Sequence, residues 1–220
     1  MEPYLTRQGD SLVLHGLPDA VKIIGLKGPL ARQMGDLTLH QADLNFADDC
    51  LSAINFVPDD PPNIKEGLWR SAIVHVMKCF GNSASRSSLS EKKILKGQPP
   101  EAIIVFEYFK NLRHKFIVHD ENAWSQAHPC AGLNDGSREQ KVEGIVCLGL
   151  IGQTLDQSYY ANLKLLIRIS MLWTASQFDV VKSKIKTELE QFSYQDLNQR
   201  DPPSYRAPEW HEVANKRKSL

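Results

Sequence analysis

The chain has 220 residues, 42% of them apolar, and its 26 Lys and Arg balance 26 Asp and Glu. That length and apolar content suit one folded domain with extensions. The balanced charge excludes a global positive field of the kind that gathers nucleic acid, so any RNA contact has to be local. Cys50, Cys79, Cys130 and Cys147 are far apart and form no CxxC pair. They read as reduced thiols and not as a disulfide scaffold. The first residues, MEPYLTRQGD, lack a basic start followed by an apolar run, and no stretch approaches the roughly 20 apolar residues of a membrane span. The expectation is a cytoplasmic protein that does not enter a membrane.

Residues 1–36 contain two β-like runs, SLVLHGL and AVKIIGL, separated by Pro18 and Asp19, and read as an N-terminal extension or small hairpin. Leu44, Ala47, Leu51 and Ile54 recur at steps of three and four, which predicts a helix from Leu39 to Val57 that Pro58, Pro61 and Pro62 end. Ile64, Leu68, Ala72, Val76 and Phe80 predict a second helix with Gly81 after it. A short helix is expected around SLSEKKILK, where Ser88 and Glu91 have the spacing of a capping box. Pro99 and Pro100 open the next helix, EAIIVFEYFKNLRHKFIV, with an apolar stripe of Ala102, Val105, Phe109, Leu112 and Phe116.

Residues 120–140 are rich in Asn, Asp, Gly and Ser and read as a loop. For residues 141–155, KVEGIVCLGLIGQTL, the β-branched residues favour a strand and a helical neighbourhood favours a helix, so both readings stand. From Ser158, a candidate N-cap, to Phe192 the pattern predicts one long helix or two broken ones. Residues 198–220, with three prolines and a basic KRK end, read as an extended tail. The main domain is accordingly residues 37–197.

One cluster carries chemistry. In YFKNLRHKFIVHDEN, Arg113 and His119 are separated by five residues, and His114 follows the arginine. On a regular helix six steps of about 100° put His119 roughly 120° around from Arg113, off its face. Permanently charged, fork-shaped arginine suits a phosphate, and imidazole suits proton transfer. His114, His119, His128 and Cys130 match no standard zinc spacing, and no metal or cofactor is expected. Tyr108, Phe109 and Phe116 could stack bases, but their place in an apolar stripe favours core packing. Trp69 is expected to be buried and Arg70 solvated or ion-paired.

Arg113, His114 and His119 resemble the Rx4-6H signature of the HEPN superfamily. The layout around them, an amphipathic helix ending in CFGN, then SSLSEKKILK, then the motif helix, resembles HEPN proteins of bacterial phage-resistance and toxin systems. The resemblance covers roughly residues 40–195. It implies a mainly α fold, a HEPN-like antiparallel helix bundle, here with a small β element and extended terminal arms. It also implies a homodimer with its interface beside the motif helix, and a partner such as an antitoxin or regulatory protein. The activity implied is that of a metal-independent endoribonuclease acting on RNA. Arg113, His119 and His114 are the candidate catalytic residues, and Lys115 and Asp120 the candidate substrate-binding residues. The alternative is a non-catalytic HEPN-like module that binds nucleotide, RNA or a protein. In a third reading, a structural subunit, Arg113 pairs with Glu107 or Asp120 and His119 packs.

Overall fold

The computed structural model describes residues 4–8, 11–59, 61–119, 121–204 and 209–215. Among them the chain is mainly helical, with two separate antiparallel β-hairpins. It divides into two compact units, residues 39–83 with 88–175 and residues 1–38, 84–87 and 176–220.

Helix α1 runs from Pro29 to Ile54, beginning ten residues before the predicted start at Leu39. Gly28 takes a φ of 104°, which suits a residue without a Cβ, and Pro29 supplies a first helical position that needs no N–H donor. Arg32 N–H then donates to Gly28 O at 3.0 Å. Helix α2 spans Pro62–Phe80, with Pro61 before it and Gly81 after it, close to the prediction. Its buried face is wider than the steps of four imply. Trp69, Ile73, Met77 and Cys79 join Ala72 and Val76 inside, while Ile64 is exposed.

Helix α3 is only Glu91–Ile94, and the Ser88/Glu91 capping box does not form. Ser90 is the capping position, because Leu89 is drawn into the core and its N–H donates to Cys79 O at 2.8 Å, which holds the chain extended until there. Helix α4 is Glu101–Leu112. Helix α5 is one unbroken stretch, Gln157–Leu189. Its first turn is capped by Asp156, whose Oδ1 accepts from Ser158 N at 2.8 Å and from Ser158 Oγ at 2.5 Å, so Ser158 lies inside the helix and is not its cap.

In the unit of residues 39–83 and 88–175, α2, α4, the 163–167 turn of α5 and the 44–54 stretch of α1 share one apolar core. Trp69 meets Phe109 edge-on at 5.9 Å and Phe80 meets Phe106 at 4.9 Å. The buried Asp43 carboxylate accepts from His75 Nδ1 and Lys78 Nζ, both at 2.9 Å, which ties α1 to α2. The same unit carries the hairpin of β3, Ser125–Leu133, and β4, Val142–Ile151. The sequence expectation of a loop through residues 120–140 is corrected at β3. Its small and polar residues carry no strand pattern of their own, and β4 supplies the hydrogen-bonding partner.

In the other unit, β1, Tyr4–Gln8, pairs with β2, Ser11–His15. The expected partner AVKIIGL forms no strand and follows the C-terminal segment: Gly25 N–H donates to Asp201 O at 2.7 Å and Lys22 Nζ to Asn198 O. The described part of the tail holds the end of α6, Tyr194–Asn198, and a 3-10 turn, Trp210–Ala214. The KRK end lies outside the described residues. No described helix is long and apolar enough to cross a membrane.

Candidate functional site

Helix α4 does not end at Leu112 but widens. Residues Arg113–Val118 form a π-helical turn, in which bonds close between residues five apart, a geometry that is rare and frequent at functional sites. His119 N–H donates to His114 O at 3.1 Å, and His119 itself is extended, with φ −126° and ψ 147°. The β-branched pair Ile117–Val118 favours leaving the α-helix here. Phe116 stays in the core.

The widening changes which groups meet. The rings of His114 and His119 stand edge to face, centroids 4.9 Å apart at 75°, and both residues are exposed. The expectation for a regular helix set His119 off the face of Arg113; the structure sets the His119 ring against His114, at the end of the π turn. Lys115 is exposed between them in sequence. Arg113 is half-buried, and its Nε is shut off from water without a hydrogen-bond partner among the described residues. A buried N–H left unpaired costs about 1–3 kcal/mol, and no described residue supplies the acceptor. Glu107 is engaged by Lys110 at 2.9 Å, and His119 is not packed, so neither feature of the structural-subunit reading is formed at those residues. Asp120 lies outside the described residues.

Beneath the turn is a buried polar network that the sequence reading passed over. The Glu66 carboxylate accepts from Arg70 Nε at 2.9 Å, Thr154 Oγ1 at 2.8 Å and Leu155 N at 3.2 Å, and Trp69 Nε1 donates to Thr154 Oγ1 at 3.1 Å. Arg70 also donates to Gly152 O at 3.3 Å, and its guanidinium carbon lies 4.7 Å from the centroid of Phe116. One arginine thus joins α2, the end of the hairpin and the underside of the π turn. Trp124 packs 6.1 Å from Phe116, and a Cβ at Gly152 would collide with the Trp124 ring, so that close approach requires glycine. The available signal was the Glu66/Arg70 spacing of four on one helix, a weak one on its own.

The aromatic residues of α4 are structural. Phe109 and Phe116 are buried, and Tyr108 stacks on Tyr159 at 4.2 Å and 9°. Burial, with the neighbouring Tyr159, Asp156 and Glu66, pushes the Tyr108 phenol up to about 12. Among the described residues no three His, Cys, Asp or Glu side chains converge as a metal-binding group. Comparison of the chain with family models, with curated proteins and with solved structures gives no match.

Proposed function

We propose that the chain is a metal-independent endoribonuclease whose reacting groups stand on the π turn Arg113–Val118 and at His119. The observation that carries this reading is the exposed edge-to-face pair His114–His119, with ring centroids 4.9 Å apart. Cleavage of RNA by its own 2′-OH needs a base, an acid and a cation beside the phosphorus. One imidazole takes the proton of the 2′-OH as that oxygen attacks phosphorus. The other gives a proton to the departing 5′ oxygen. Arg113 holds the non-bridging oxygens as charge builds on them, and Lys115 contacts a flanking phosphate. The products are a 2′,3′-cyclic phosphate and a 5′-hydroxyl.

One chain carries both imidazoles, so the chemistry does not depend on a second motif facing the first. The HEPN resemblance is the ground for placing such a nuclease in a toxin or phage-defence system with a restraining partner protein. The test is cleavage of a single-stranded RNA by the purified protein. His114→Ala and His119→Ala should each lower the rate by about a hundredfold to ten-thousandfold. The rate of the unaltered protein should be bell-shaped in pH and unchanged by EDTA, and RNA methylated at the 2′ oxygen should be inert. Undiminished cleavage by both histidine variants would overturn the assignment. RNA binding without cleavage by the unaltered chain would establish the non-catalytic module instead.

A further inference from the structure

The chain leaves the π turn and folds back on it. Glu121 N–H donates to Lys115 O at 2.9 Å, and Asn122 Oδ1 then accepts from Trp124 N at 3.1 Å, a local bond that fixes the backbone as it enters β3. Trp124 is thereby brought against Phe116, the buried residue of the turn, with ring centroids 6.1 Å apart. Its indole also lies where a side chain on residue 152 would stand, and Gly152 N–H donates to Trp124 O at 2.7 Å. Arg70 holds Gly152 O and lies over the Phe116 ring, so the indole and the turn share one support.

An indole held this firmly is nevertheless not enclosed. Trp124 leaves 43% of its surface in water. Beside it opens a cleft of about 300 Å³, lined by Ala123, Trp124, Leu150, Ile151 and Gly152. None of these five residues is charged, and the volume lies at the lower end of the roughly 300–1,000 Å³ of ligand sites. The cleft suits one small, flat, apolar group. A single exposed aromatic residue is ordinary on a protein surface. This one differs in its rigid hold, its cleft and its place, since the Phe116 it packs on stands between His114 and His119 in the chain. Residues 108–119 hold two lysines, an arginine and two histidines and no acid, so the turn favours an anion where the cleft beside it favours an uncharged ring. A nucleotide joins those two chemistries in one molecule.

We infer that Trp124 is a stacking platform for a nucleobase of single-stranded RNA, the base flanking the phosphate held at the π turn. The inference rests on the ribonuclease reading for that phosphate and names the substrate class of the same site. Every base has a π face, so the platform accepts any sequence. In a duplex the bases are already stacked on one another, so the platform takes single strands in preference to duplexes.

The experiment uses the full chain and a single-stranded 2′-O-methyl RNA, which binds without being cut. Trp124→Ala should weaken binding by about 5- to 150-fold, the span for loss of one stacked base. Trp124→Phe keeps a ring and should stay close to the wild type. Trp124→Leu keeps apolar bulk against Phe116 without a π face, so it should bind as weakly as Trp124→Ala, whereas a merely structural tryptophan would be rescued by leucine. Fluorine NMR of the chain labelled with 5-fluorotryptophan gives one resonance for each of the four tryptophans, and the one that Trp124→Phe removes should shift on adding the oligomer. It should not shift with a sugar–phosphate chain that lacks bases. A wild type that does not bind the oligomer, binds its duplex equally well, or leaves the Trp124 resonance in place overturns the inference, as does a Trp124→Ala variant of wild-type affinity. Cleavage of ordinary RNA is read separately: binding in the expected pattern without cleavage overturns the ribonuclease reading and leaves the platform standing.

Discussion

Arg70 shows how a single side chain can position a candidate site without belonging to it. It is bound to the buried Glu66, to Gly152 O and to the face of Phe116, and Phe116 is the inward residue of the turn that bears His114 and His119. Arg70→Ala would leave the Glu66 carboxylate without its cation and open space under Phe116. A loss of about 3 kcal/mol in urea unfolding is expected, the lower end of the range for breaking a buried pair, since Arg70 is part exposed. An unchanged midpoint would show that the pair is solvated in effect. Tyr108 makes a second residue-scale prediction. Its phenol is held up to about 12 in the folded chain against about 10 when unfolded, so the stability linked to it is complete below pH 10 and is lost as pH rises toward 12. Absorbance titration should show a late phenol ionisation that disappears in Tyr108→Phe, and that variant should lose part of the stability decline between pH 10 and 12.

Elements that follow their own periodicity were legible, and elements that depend on a partner were not. Helix α2 and helix α4 could be placed from repeats of three and four, because each buries one stripe. The start of α1 was missed because residues 29–38 carry no clear stripe, and the Gly28–Pro29 start signal stood alone. Strand β3 was missed because SQAHPCAGL becomes a strand through pairing with β4. The cap of α5 was misplaced by two residues, since Asp156 and Ser158 are both good caps and only the geometry selects one. The Ser158 hydrogen bonds hold the Asp156 carboxyl below its usual range. The first turn of α5 is therefore secured above that range and loosens as pH falls through it. Hydrogen exchange at Ser158–Tyr160 should quicken in acid, and Asp156→Ala should show the quickened exchange already at neutral pH.

At the scale of the whole molecule, composition and apolar patterning were enough for a mainly α chain without a membrane-spanning helix, and the described residues agree. Arg113, His114 and His119 could be named as candidates from residue type and spacing alone, because the proposed chemistry would need those groups wherever they lie. Their arrangement was not legible. A regular helix turns His119 away, and the π turn that sets its ring against His114 is a backbone choice made within the packing around Phe116. Sequence alone therefore determined the periodic helices, the charge balance and the candidate residues, because those depend on local propensity and side-chain chemistry. The tertiary structure decided the π turn, the β3–β4 register and the Glu66–Arg70 network, because each is held by hydrogen bonds and packing between residues distant along the chain.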